Sequence, residues 1–147
     1  MIAIRPWLYV GRYVDTLNGE LLHENGIGAL LELHEWVNNP GLTVLFLPIQ
    51  EGDPLKPATL ERGLAFVEAQ RAAERRVLIA CSAGISRSPL FAVAALRRSE
   101  NLSLLDAFEE VRARHPRAMP DLVHWENLCD FFGEDVPFLS IWHGGES

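Results

Sequence analysis

Lysine is almost missing from this 147-residue chain. Of its 13 basic residues 12 are arginine, and the single Lys56 lies between Pro54-Leu55 and Pro57. A G-x-x-x-x-G-K loop, which needs a lysine to reach a nucleotide's phosphates, is therefore excluded. Cysteine is equally scarce. Cys81 and Cys129 alone make neither a disulfide framework nor a zinc site. The five histidines (23, 34, 115, 124 and 143) are scattered, with no H-x-x-x-H pair, so the expectation is a site without metal or cofactor. Long apolar runs are absent too. The longest stretch without a polar residue is Pro89–Leu96, far short of the ~20 residues a membrane span requires. The opening residues, Met-Ile-Ala-Ile-Arg-Pro, have no basic segment leading into an apolar one, so no secretory signal is expected and the cytoplasm is the default compartment.

What is present describes one soluble domain. The chain is 48% hydrophobic and 22% charged with a formal net charge of −7, and a chain of this length buries enough surface to hold a core without staples. The negative charge argues against nucleic acid as a partner, and nothing polybasic is available for a lipid surface. A monomer is the default.

Short apolar runs alternate with helical periodicity. Ile2–Ile4 and Leu8–Val10 read as edge strands, and Ala29–Leu33 and Leu42–Ile49 as buried strands. Asp15 reads as the N-cap of a helix ending at Asn25-Gly26. A helical pattern runs from Ala58 to about Arg75, and Val77–Cys81 has the composition of a central buried strand. Ser88-Pro89 suggests a capped helix start, Ser103–Asp106 a capping box, and Pro120-Asp121 the start of a last helix ending near Phe132-Gly133. The predicted class is α/β, with a largely parallel central sheet flanked by helices and a helical C-terminal third. Residues 1–133 form the expected domain and 134–147 a C-terminal tail with a mobile Gly-Gly-Glu-Ser end.

The chemistry concentrates in Cys81-Ser-Ala-Gly-Ile-Ser-Arg87-Ser88-Pro89. A thiol closes a buried strand, five small or apolar residues come next, and a helix begins. Such a loop can turn successive backbone N–H groups inward as an anion-binding nest backed by the helix dipole. The same field favours the thiolate of Cys81. Arg87 can wrap back and grip two phosphate oxygens side by side, which a lysine cannot do. The alternative for Cys81 is a buried structural thiol, and that is the reading for Cys129, set among Leu128, Phe131 and Phe132. A serine-hydrolase elbow is disfavoured because Gly84-Ile-Ser86-Arg-Ser88 lacks the final glycine of G-x-S-x-G.

This C-x5-R-S segment resembles the signature of cysteine-dependent protein phosphatases, in particular the dual-specificity branch. Ile4–Gly11, Leu22–Ile27 and Asn101–Phe108 resemble other parts of that branch, so the likeness spans about residues 2 to 133. It implies a small phosphatase fold and hydrolysis of phosphate monoesters through a cysteinyl-phosphate intermediate, on phosphotyrosine and phosphoserine/threonine in proteins. The alternatives are a lipid, nucleotide or sugar phosphate, or a weakly active phosphate-binding module. By resemblance Cys81 is the nucleophile, Arg87 and the backbone of Ser82, Ala83, Gly84, Ile85 and Ser86 hold the phosphate, and Ser88 stabilises the departing thiolate. An upstream carboxylate is the general acid. Pro48-Ile-Gln-Glu51-Gly-Asp53 offers two, and residue type favours Asp53 over Glu51. Two departures stand out. Relatives have histidine where this chain has Ala80, and Pro-Asn where it has Pro120-Asp121.

Overall fold

In a computed structural model, which describes residues 1–142, five strands form one sheet in the order β1-β2-β5-β3-β4. The strands are β1 (Ile2–Arg5), β2 (Leu8–Arg12), β3 (Ile27–Glu32), β4 (Thr43–Phe46) and β5 (Arg76–Cys81). β1 and β2 form an antiparallel pair, and the pairs β2–β5, β5–β3 and β3–β4 are parallel. Among the described residues the helices are α1 (Tyr13–Thr16), α2 (Gly19–Glu24), α3 (Pro57–Ala72), α4 (Arg87–Ser99), α5 (Leu104–Arg114) and α6 (Leu122–Phe132), followed by a 3-10 turn at Phe138–Ser140. The predicted class, a largely parallel sheet between helices with a helical C-terminal third, describes this architecture.

Side chains alternate across the sheet and divide the core in two. Ala29, Leu31, Val77, Ile79 and Cys81 point toward α3, α4, α5 and α6. Leu30, Leu78, Ala80 and Tyr9 point toward α1 and α2, where Leu22 closes a smaller cluster. Helix α4 lies at the centre of the larger layer, and every residue from Arg87 to Leu96 is buried. That enclosure on all sides accounts for the apolar run Pro89–Leu96.

Several elements differ from the sequence reading. β2 is not an edge strand, because β5 pairs along its other side; the edges are β1 and β4. A single helix from Asp15 to Asn25 is replaced by two short ones. Asn18 caps the second through Leu21 N–H at 3.1 Å, whereas Asp15 is drawn to Arg12 N–H at 2.9 Å and the chain's terminal ammonium at 3.2 Å. Helix α4 begins at Arg87 after the N-cap Ser86, not at Ser88-Pro89. The Ser103 and Asp121 caps lie where expected, accepting Asp106 N–H at 3.1 Å and His124 N–H at 2.8 Å, and Gly133 closes α6 at φ 67°.

Segment 134–142 does not behave as a free tail. Glu134 pairs with Arg97 at 2.6 Å, and Ile141 is fully buried. The Gly-Gly-Glu-Ser end lies outside the described residues.

Candidate active site

Strand β5 delivers Cys81 to the end of the sheet, between the ends of β2 and β3, at the floor of the loop Ser82–Ser86. The loop turns tightly because Gly84 takes φ +72°, a left-handed conformation that side chains resist. A methyl group there would also lie 3.0 Å from the Gly11 carbonyl. Three further contacts hold the loop from outside. His115 Nε2 donates to Gly84 O at 2.8 Å, and Met119 N–H to Ile85 O at 2.8 Å. Asp121 N–H donates to Ser86 Oγ at 3.2 Å.

With its carbonyls so engaged, the loop leaves its donors free. Among the described residues no backbone N–H from Ser82 to Arg87 reaches a protein acceptor. Cys81 Sγ lies at the bottom, 3.2 Å from Ser88 Oγ, and accepts Ser88 N–H at 3.4 Å. The Ser88 N–H and the N-terminus of α4 both direct the positive ends of their dipoles toward the sulfur.

Arg87 is buried along the wall. One guanidinium nitrogen donates to Ile49 O at 2.6 Å and the other to Ser82 Oγ at 2.8 Å. Its Nε is enclosed yet has no hydrogen-bond acceptor, although Glu51 Oε1 lies 3.3 Å away as an ion pair. Amides and guanidinium together make a cradle of donors that suits a tetrahedral anion, with the Cys81 sulfur beneath it.

The structure brings Glu51, and not Asp53, to this cradle. Besides its pairing with Arg87, Glu51 Oε2 lies 3.4 Å from Ser86 Oγ. Asp53 contributes through its backbone, its carbonyl accepting His124 Nε2–H at 2.7 Å. Its carboxylate makes no hydrogen bond or ion pair among the described residues, and it lines a neighbouring pocket with Pro48, Leu55 and Lys56.

Asp121 anchors the loop between these two carboxylates by accepting Gly52 N–H at 2.7 Å. Burial works against its charge, but the amides of His124 and Gly52 and the nearby His124 ring hold its carboxyl below the ordinary range. Sequence reasoning singled out Asp121 as the start of the last helix and as a departure from a pattern, and not as an anchor of this loop. His115, His124 and Asn127, which receives Leu55 N–H at 2.7 Å, left no signal in the sequence. Cys129 is buried in the core and its thiol is pushed up, first by desolvation and then by Asp130, Glu134 and Asp135.

Known proteins with similar sequences and folds agree on one family. The family model described as "Dual specificity phosphatase, catalytic domain" matches residues 8–134. Human dual specificity protein phosphatase 16 is 31% identical over 134 residues, which is 87% of this chain and 20% of that protein. Dual specificity protein phosphatase 12 of Rattus norvegicus is 31% identical over 148 residues, 92% of this chain and 42% of that one. The chain thus spans less than half the length of these two relatives. Among solved structures, human DUSP28 superposes with a TM-score of 0.81 at 28% identity, over 89% of this chain and 94% of that one.

Proposed function

Because the chain belongs to the dual-specificity phosphatase family, we propose that it hydrolyses phosphate monoesters on phosphotyrosine and phosphoserine/threonine in proteins, with Cys81 as the nucleophile. The observation that carries this reading is the donor arrangement: amides from Ser82 to Arg87 without a protein acceptor, and a buried Arg87 Nε whose neighbour is the Glu51 carboxylate, belong to a loop that opens on a thiol contacted twice by Ser88. Phosphoryl transfer needs fixed donors on the equatorial oxygens and a nucleophile in line with the leaving group.

In this reading the Cys81 thiolate attacks phosphorus while the ester oxygen leaves with a proton from the general acid. The product is a cysteinyl phosphate. Water, deprotonated by the acid's conjugate base, then attacks the same phosphorus, and the Cys81–phosphorus bond breaks with its electron pair returning to sulfur. Ser88 Oγ stabilises that departing thiolate with a hydrogen bond. We assign the acid to Glu51, which reaches the cradle, and not to Asp53. An incoming phosphate replaces Glu51 at Arg87 Nε and leaves that carboxyl at the rim, close to the leaving oxygen. The proposed setting is cytoplasmic, supported by two unpaired cysteines. No described helix is long and apolar enough to cross a membrane.

The decisive measurement compares the unaltered chain with Cys81→Ser on p-nitrophenyl phosphate and on phosphotyrosine and phosphothreonine peptides. Turnover should vanish in the variant while orthovanadate or tungstate still binds, since backbone and Arg87 make the cradle. Retained hydrolysis would remove Cys81 from the mechanism. Activity on small esters without activity on either peptide would move the substrate class away from proteins.

A further inference from the structure

Glu32 is a buried acid that the reaction scheme does not use. It ends β3 and is fully buried. Its register partner on β5 is Ala80, the residue before the nucleophile. Parallel partners place their side chains on the same face, so the carboxyl shares Ala80's side of the sheet, opposite to that of Cys81. The link to the cradle runs through Ile49, whose N–H donates to Leu33 O at 3.0 Å and whose carbonyl accepts from Arg87 at 2.6 Å. Leu33 N–H donates to Ala80 O at 2.9 Å and Leu47 N–H to Glu32 O at 2.8 Å, which locks that strand end against the wall of the site. One carboxyl oxygen accepts His34 N–H at 3.1 Å. The other is buried with no partner. Ala80, and Gly11 across β5 from it, bring no polar side-chain atom to that side.

We propose that Glu32 is a positioning residue of the phosphate cradle, whose carboxyl must be neutral for Arg87 and the loop amides to bind a dianion at full strength. Ionised, it would set a second negative charge in a poorly solvated region that the substrate's own two charges must enter, and it would compete for the field of Arg87. Neutral, it keeps its hydrogen bond to the turn after β3 and leaves that field to the phosphate.

The balance of groups around it allows both states near neutrality. Desolvation dominates and carries the carboxyl from 4.5 to about 7, against the amides of His34 and Glu35 and the guanidinium of Arg87, with the Glu35 carboxylate adding to the rise. The other ionisable groups on adjoining elements are Cys81 on β5, Glu51 on the far side of Arg87, the His34 ring packed edge-on against Tyr13 of α1, and Asp15 of α1, which is already paired with the terminal ammonium and Arg12.

This inference rests on the cradle being a phosphate site, and the test separates the two. Tungstate serves as the probe because its charge stays at −2 from about pH 6 to 8.5, and Cys81→Ser removes the thiol's own titration. In that background, tungstate affinity should fall roughly tenfold across this range, as one unit of coupling between two groups requires. Adding Glu32→Gln should remove most of the fall. By linkage, tungstate must raise the midpoint of Glu32 by the same factor, which carboxyl-carbon NMR reads without that substitution. An equal fall with and without Glu32→Gln, or a Glu32 midpoint indifferent to tungstate, overturns the proposal and leaves the phosphate site standing. No tungstate binding at any pH overturns both.

Discussion

At the scale of single residues the site divides into groups with legible roles and groups with none. Cys81, Arg87 and Ser88 stand out because thiol, guanidinium and hydroxyl occur at one fixed spacing, and local backbone geometry is enough to bring them together. The choice between Glu51 and Asp53 was not legible, because it depends on Asp121, 69 residues downstream, gripping Gly52 between them. Removing a general acid costs ~10²–10⁴-fold, and more on poorer leaving groups. Glu51→Gln should therefore lose far more activity on a phosphotyrosine peptide than on p-nitrophenyl phosphate, together with the basic limb of the pH–rate profile, while Asp53→Asn stays close to the unaltered chain. The reverse pattern returns the role to Asp53. Glu32 was invisible for another reason. A glutamate in an apolar run reads as an interruption, and only register shows that it is sealed in beside Ala80. It has a consequence for stability as well. Its carboxyl is raised in the folded state to about 7, so the stability linked to its proton is fully present below about pH 4.5 and is lost as the pH rises through 7. A rise of that size corresponds to at most about 3 kcal/mol. Urea unfolding at pH 5 and pH 8 should show Glu32→Gln losing less stability between the two than the unaltered chain. Equal losses would mean that Glu32 stays solvated in the folded protein.

At the scale of elements the strands and long helices arise from local pattern, and the departures are places where a tertiary partner outbid a local one. Asp15 is an acceptable N-cap by residue type, yet Arg12 N–H and the terminal ammonium claim its carboxylate, and Asn18 takes over as cap. Ser88 likewise suits a cap position, but its hydroxyl faces Cys81, and α4 starts two residues earlier than a Ser88 cap would set it, at Arg87, without a side-chain cap. The joint between α3 and α4 offers a test. Gly63 lies inside α3, where alanine would gain about 1 kcal/mol of helix propensity. A methyl group there would sit 2.4 Å from Phe91 Cε1 on α4, and Phe91 is buried in the packed core, so its ring has nowhere to retreat. Overpacking of this kind costs about 1–3 kcal/mol and should win. Gly63→Ala is expected to lower the denaturation midpoint, and a stabilised variant would show that α3 can slide along α4 at little cost.

At the scale of the whole molecule, the open question is where the domain ends. A boundary at 133 is natural in the sequence, because Gly133 closes α6 and the residues after it have neither periodicity nor a motif. The structure carries the fold further by contacts that no local pattern encodes. Glu134 accepts from Arg97 of α4 and from Leu104 N–H at the start of α5, at 2.6 and 3.2 Å, so one carboxylate joins two helices. The Val136 carbonyl receives the indole N–H of Trp125 at 2.8 Å, which satisfies the one polar atom of the largest fully buried side chain. Ile141 then inserts into the main core with no exposed surface. Helix α4, whose first residue is Arg87, thus has its far end tied down by residues beyond 133. If 134–142 is an integral part of the domain, Ile141→Ala should cost about 2–5 kcal/mol, the range for emptying a buried aliphatic site. That loss should appear in a single cooperative unfolding transition followed by both tryptophan fluorescence and far-UV circular dichroism. A variant as stable as the unaltered chain would restore the boundary to 133. Two separate transitions would mean that the segment docks on an already folded body and that the cradle does not depend on it.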